Sequence, residues 1–222
     1  MKLPAMAADY RNLKLSKIHQ PEYRHILYLL FWPALVLRYI LIERFLIPGQ
    51  YHEVSCAVDA LIPFQEIFVI PYVAWYLFIF GMHLYTCLYD IRAFKWYSKY
   101  LLVCFSLSTL TFLLFPTCQN LRPAAFPRNN FLTDIVGLLY ALDTNTNVCP
   151  SEHVIGSIAA FLAARHTQSL RKPGLTITFA VVAFFTSIAT VFLKQHSFVD
   201  VLAALPICCF AYWICSKKRD TR

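Results

Sequence analysis

Six apolar runs set the first limit on what this chain can become. They fall at about 25–47, 64–86, 96–116, 152–165, 174–193 and 197–216. A helix that crosses a bilayer needs roughly 17–25 mostly apolar residues, and all but the fourth, shortest run meet that length. Charged residues make up only 14% of the chain, where a soluble domain carries about a quarter. The apolar residues are bunched, not spread at a helical period. These features predict an all-α, polytopic membrane protein: six transmembrane helices in a bundle, preceded by a polar tail over 1–23.

The formal net charge of +8 admits nucleic acid as a partner until the positions of the charges are considered. Basic residues collect on the cytoplasmic side of spanning helices. With six spans both termini share a side, and that side carries Lys2, Arg11, Lys14, Lys17, Arg24, Arg92, Lys95, Lys99, Arg165, Arg171, Lys172, Lys217, Lys218, Arg219 and Arg222. The other side carries Arg44, Arg122, Arg128 and Lys194. The asymmetry points to a bilayer and not to nucleic acid. It predicts a multi-pass protein with cytoplasmic termini, and the plasma membrane is the expected location. The first span follows a charged tail without a small-residue cleavage pattern and reads as a retained anchor.

Between the spans, the 116–150 loop is the longest, and long loops in compact chains usually carry function. Within it Phe131, Leu132, Ile135, Val136, Leu138 and Leu139 fall mostly on one helical face, which predicts an amphipathic helix on the membrane surface. Arg38 lies inside the first span, where a charge is costly without a partner; Glu66 is the expected partner. His83 reads as a packed, hydrogen-bonded core residue. The eight cysteines show no zinc spacing. Cys118 and Cys149 fall in the extracytoplasmic loop, as a disulfide or as two free thiols.

Three short polar segments carry the chemistry. His196 and Asp200, four residues apart, share a helix face. A carboxylate on one imidazole nitrogen fixes the tautomer and leaves the other free, as a nucleophilic histidine requires; a structural His–Asp bond is the plainer alternative. Pro150 and Ser151 read as a helix start, whose free N–H groups attract anions. His153 then sits in the first turn, able to give a proton to a departing oxygen, or serves only as an interfacial residue behind a cap. Arg122 is the natural bidentate partner of a phosphate, or a surface arginine facing headgroups.

In combination these segments resemble the type 2 phosphatidic acid phosphatase superfamily of membrane lipid phosphatases and phosphotransferases. The family pattern reads Lys-x6-Arg-Pro, Pro-Ser-Gly-His and Ser-Arg-x5-His-x3-Asp. The counterparts are Arg122-Pro123, Pro150-Ser151-Glu152-His153, and Ala189-Thr190 followed by His196 and Asp200, over roughly 64–216. The resemblance implies that His196 attacks phosphorus to give a phosphohistidine and that Asp200 orients it. His153 would protonate the leaving alcohol, while Arg122, Ser151 and the amides at 152 and 153 hold the phosphoryl oxygens. It implies no metal and no cofactor. Phe115 and Thr190 stand where the pattern has lysine and arginine, and Glu152 replaces glycine beside the phosphate. Lys194 is the expected substitute cation. Fewer cations suit a diester, with about one charge, over a monoester with roughly 1.5–2, as in the sphingomyelin-synthase-like and inositol-phosphoryl-transferase-like branches. The expected activity is hydrolysis of a lipid phosphate ester on the extracytoplasmic face. Headgroup transfer from a phospholipid to an alcohol, and a catalytically silent lipid-binding protein of the same fold, are the alternatives.

Overall fold

The structure, a computed structural model, describes residues 4–46 and 49–217. Lys2, Lys218, Arg219 and Arg222, part of the charge asymmetry, and the end of the first apolar run lie outside the described residues.

The first apolar run is helical from Arg24 to Phe45. It opens as a 3-10 segment, Arg24–Leu30, becomes α1 (Phe31–Ile40) and closes as a π turn, Leu41–Phe45. A short α2 (Ala57–Leu61) follows, then α3 (Val69–Tyr89) and α4 (Ile91–Leu114). After them come α5 (Phe131–Leu142), α6 (Glu152–His166), α7 (Pro173–Phe192) and α8 (Phe198–Lys217). Five of the helical segments are long and apolar enough to cross a membrane. Their outer faces carry exposed Leu37, Leu77, Leu113, Phe184 and Leu205, a surface that suits lipid better than water.

The fourth expected span is the exception. Its helix, α6, has 15 residues, about 22 Å at 1.5 Å per residue. It is also the hub of the bundle, packed by α3, α4, α7 and α8. Small residues allow this: Gly156, Ser157, Ala159, Ala160, Ala163 and Ala164 are all buried along it, and small side chains let helix backbones approach closely. A Cβ on Gly156 would lie 2.7 Å from the Trp75 ring and 2.8 Å from Ile79 of α3.

Local chemistry sets the helix ends. Asp90 caps α4 by accepting from the Ala93 amide, and Asn130 caps α5 through Leu132 and Thr133. Pro173 occupies the first turn of α7, where its missing N–H costs nothing. On α5, Thr133 and Val136 are buried while Phe131, Leu138 and Leu142 are exposed. The loops at this end are tied by two short strands, β1 (His52–Glu53) and β2 (Thr117–Cys118), which pair in parallel. Cys118 also bridges to Thr146. At the other end the N-terminal segment packs on the close of α3: Ala7 N–H donates to Leu88 O at 2.8 Å and the Tyr10 hydroxyl to Cys87 O at 2.7 Å.

One sequence expectation changes, and the cysteine pair takes the second of its two stated forms. Arg38 does not pair with Glu66. It makes a bidentate pair with Glu152, both N···O distances 2.6 Å, while Glu66 takes Arg128 from the long loop at 2.6 and 2.7 Å. Helix spacing gave no sight of either partner, because both lie far along the chain. Cys118 and Cys149 are both free thiols. His83 is buried and lies 2.9 Å from the Ser98 hydroxyl, as a core histidine should.

Candidate active site

The turn between α7 and α8 is short, buried and held from several sides. It leaves α7 through the Thr190 carbonyl, which accepts from the amides of Gln195 and His196 at 2.9 and 3.1 Å. Lys194 then takes a left-handed backbone, φ 52°, uncommon for a non-glycine residue. Two distant side chains fasten the turn's carbonyls, and the turn's own lysine reaches out to α2. Gln119 Nε2 donates to Lys194 O at 2.9 Å, the Tyr140 hydroxyl donates to Leu193 O at 2.6 Å, and Lys194 Nζ reaches Asp59 O at 2.7 Å.

Asp59 of α2 holds the start of α8. Its carboxylate accepts from Ser197 Oγ at 2.6 Å, Phe198 N at 2.7 Å and Cys56 N at 2.8 Å. Burial alone would raise this carboxyl, but the bonds from Ser197, Phe198 and Cys56 outweigh it and hold it below its ordinary 3.8.

On this frame His196 Nδ1 lies 3.1 Å from Asp200 Oδ2. An ionised carboxylate only accepts, so Nδ1 carries the hydrogen and Nε2 keeps its lone pair. Asp200 is fully buried and also accepts from the Ser197 amide at 2.9 Å. Its own carbonyl accepts from the Ser151 amide at 3.1 Å, which fixes the start of α6 against the start of α8. Ser151 Oγ caps α6 through Val154 N at 3.5 Å.

That junction brings the two histidines face to face. The His153 and His196 rings are 5.6 Å apart between centroids, edge to face. His153 is packed by Tyr72 and Trp75 of α3, each with its ring centre at 4.5 Å. Its Nε2 is buried with no protein partner. Both rings line a cavity of about 80 Å³ together with Gln195, Tyr39, Phe112 and the carboxyl residues Glu43, Asp143 and Glu152. The larger cavity, about 770 Å³, is lined by Arg92, Lys95, Lys99, Arg171 and His166. His166 lies 13 residues beyond His153 on α6, about 20 Å along the axis, and no motif residue lines that cavity. The motif histidines line the smaller one.

The expected cations are not at this cavity. Arg122 donates to Tyr140 O at 3.1 Å, to Asp143 O and Thr144 O at 3.0 Å each, and to Gln195 Oε1 at 2.6 Å, and it stacks over the Tyr140 ring. It binds the end of α5 to the residue before His196. Burial lowers its pKa against the pull of Asp143. Lys194 is turned to Asp59, and burial lowers its pKa too. Thr190 is fully buried and serves through its carbonyl. Glu152 faces Arg38.

Sequence reasoning missed most of what surrounds the histidines. Arg38, Tyr39 and Glu43 come from the first span. Glu43 accepts from Thr144 and Thr146 hydroxyls at 2.9 and 2.6 Å and from Asn147 Nδ2 at 2.7 Å. Among the described residues the Asp143 carboxylate accepts only from the Tyr72 hydroxyl, at 3.4 Å, and burial pushes its carboxyl up against the opposing effects of His196 and Arg122. The available signal was the run of Arg38, Glu43 and Arg44 in one apolar segment, since charges there are kept only for partners or function.

A family model described as the PAP2 superfamily matches residues 96–222, more than half of the chain. Comparison with curated proteins and with solved structures returns no match.

Proposed function

The chain belongs to the PAP2 superfamily, and from that premise we propose that it is a membrane-embedded hydrolase of a lipid phosphate ester that works through a phosphohistidine on His196. The observation that carries this is the facing pair of imidazoles in one cavity, one of them with a carboxylate at 3.1 Å. Reacting atoms sit about 3–3.5 Å apart before attack, and a proton donor acts at about 2.6–3.2 Å. Both rings line the same cavity, so a single ester bound there is within reach of both.

In the first step His196 Nε2 attacks phosphorus and the bond from phosphorus to the lipid oxygen breaks. His153, protonated as the anionic ester binds, gives its Nε2 proton to that oxygen. Asp200 stabilises the charge left on the His196 ring. In the second step His153 takes a proton from water, the water oxygen bonds to phosphorus, and the P–N bond breaks. Ser151 and the first amides of α6 are assigned to the phosphoryl oxygens, assisted by Gln195 Nε2, which is buried without a partner. The site is assigned to the extracytoplasmic side, because Arg92, Lys95, Lys99, Arg171 and Lys217 gather at the other end of the bundle.

A second reading is transfer of a phospho-headgroup from a diester to an alcohol. The observation favouring it is the cavity lining itself: Glu43, Asp143 and Glu152, with no lysine or arginine among its lining residues. Purified protein incubated with monoester, diester and diphosphate lipids, with free phosphate and new lipid products followed separately, distinguishes the two. His196→Ala should abolish both products and any acid-labile labelled phosphoenzyme; turnover that survives the substitution removes the nucleophile.

A further inference from the structure

We propose that Arg38 of the first span is the phosphoryl-binding cation of this site, held by Glu152 and passed from that carboxylate to the phosphoryl oxygens of an entering substrate. This rests on the reading of the His153–His196 cavity as a phosphate-ester site. Arg38 lies outside the residues that match the family.

The cations expected from the sequence are committed elsewhere: Phe115 and Thr190 carry no charge, Arg122 is spent on carbonyls and Lys194 on Asp59. Arg38 differs in kind. Both its terminal nitrogens face one carboxylate at 2.6 Å, the fork geometry that fits a phosphate equally well. Glu152 precedes His153, and both line the cavity, so the guanidinium stands behind a single carboxylate at the cavity wall.

The guanidinium is also pre-positioned. Nη1 donates to Thr109 Oγ1 at 3.0 Å, and its carbon lies 5.6 and 5.9 Å from the ring centres of Phe105 and Phe112. Those contacts come from α4 and persist whichever anion occupies the fork. Phe112 itself lines the cavity. Nε is buried without a partner, a third donor still to be used. Glu152, once released, stays in the first turn of α6, where a negative charge is favoured.

The test compares wild type, Arg38→Ala, Glu152→Gln, the double variant Arg38→Ala/Glu152→Gln and Arg38→Lys. Two measurements are made: KM for dioleoyl phosphatidic acid in mixed micelles, and the rise in melting temperature on adding inorganic phosphate. Glu152→Gln should lower KM and enlarge the phosphate-induced rise. The double variant leaves no buried charge unpaired, so it should fold near wild type. It should still show KM raised about 10- to 100-fold, the factor expected for loss of a charge-assisted hydrogen bond, with little response to phosphate.

A double variant that recovers wild-type KM and phosphate response would overturn the proposal, leaving Arg38–Glu152 as a structural pair. Should the double variant not fold, Arg38→Lys decides: KM raised severalfold supports the fork, and unchanged KM refutes it. The underlying functional reading fails separately. In that case wild type does not turn over any lipid ester or His196→Ala retains turnover, whereas phosphate still stabilises wild type and Glu152→Gln through Arg38.

Discussion

Asp59 lies outside every motif, yet the geometry makes it the support on which His196 depends. Its carboxylate takes three hydrogen bonds, from Ser197 Oγ, Phe198 N and Cys56 N, and its carbonyl takes Lys194 Nζ. Two of the three donors are backbone amides flanking or facing the turn that carries His196. Hydrogen bonds to a charged group contribute roughly 1.5–3 kcal/mol each. Asp59→Asn keeps one acceptor oxygen and turns an NH2 toward groups that include the amides, so one or two of the bonds are lost, about 2–5 kcal/mol. At roughly 2–4 °C per kcal/mol for a chain of this length, the melting temperature should fall by about 5–20 °C. Displacing the turn by about 1 Å should lower kcat near 100-fold even in protein that remains folded.

Acid gives a second readout. Asp59 is held below its ordinary 3.8 in the folded state. Its contribution to stability is therefore complete above about pH 4 and is lost as pH falls through the depressed folded value. Melting temperature against pH, from 7 down to 3, should decline in wild type with a component that Asp59→Asn lacks. Equal melting temperatures at pH 7, together with an unchanged kcat, would refute the supporting role.

Other substitutions separate positioning from binding. Arg122→Lys loses the bonds that one lysine cannot make to Tyr140, Asp143, Thr144 and Gln195 together. It should cut kcat about tenfold or more while KM for phosphatidic acid stays within about twofold; steady-state kinetics decides, and a change confined to KM would return Arg122 to the phosphate. Gly156→Ala places a methyl 2.7 Å from the Trp75 ring, so it should destabilise by about 1–3 kcal/mol and shift the wall behind His153, read as a lower melting temperature with reduced kcat. The Cys149 thiol is pushed up to about 12, by burial first and then by Asp200. It should resist maleimide at pH 7–8 in the folded protein and react once the protein is unfolded, with labelling mapped by mass spectrometry.

The helical bundle was legible because lipid demands long apolar runs, and that demand writes itself into consecutive residues. The fourth run was the weakest on that criterion for a physical reason. As the hub of the bundle, α6 meets other helices instead of lipid, so Gly156, Ala159 and Ala160 serve it better than leucine. The His153, His196 and Asp200 cluster was legible because its members lie at or just before helix starts, although His196 meets Asp200 from the turn ahead of α8 and not from a shared helix face. The partners of Arg38, Glu66, Lys194 and Arg122 were not. Arg38 and Glu152 are separated by 114 positions, Lys194 and Asp59 by 135, and no local pattern encodes a contact of that kind. The scarcity of outer-face arginines drew attention to Arg122, but scarcity could not tell a ligand-binding guanidinium from one that ties down a loop.

The charges around the two histidines bear on the substrate more directly than the motif does. Glu43 is held by neutral donors from Thr144, Thr146 and Asn147. Glu152 is balanced by Arg38. Among the described residues the Asp143 carboxyl takes one hydrogen bond, from the Tyr72 hydroxyl, and burial pushes its pKa up. The Arg122 cation rests on carbonyl oxygens. An entering phosphate thus meets the Glu43 and Asp143 carboxyl groups beside an Arg38–Glu152 pair that cancels, and each unit pair of like charge about 6 Å apart repels by roughly 3 kcal/mol at an effective dielectric near 20. A monoester brings about 1.5–2 negative charges and a diester about one, so the diester incurs roughly half the repulsion, and one whose headgroup carries its own cation incurs less still. A monoester becomes competitive only if Arg38 leaves Glu152 for the phosphate or if Asp143 takes a proton. On the proposed reading the charge of the ester is therefore the first discriminant, and the choice between water and an alcohol as acceptor comes after it.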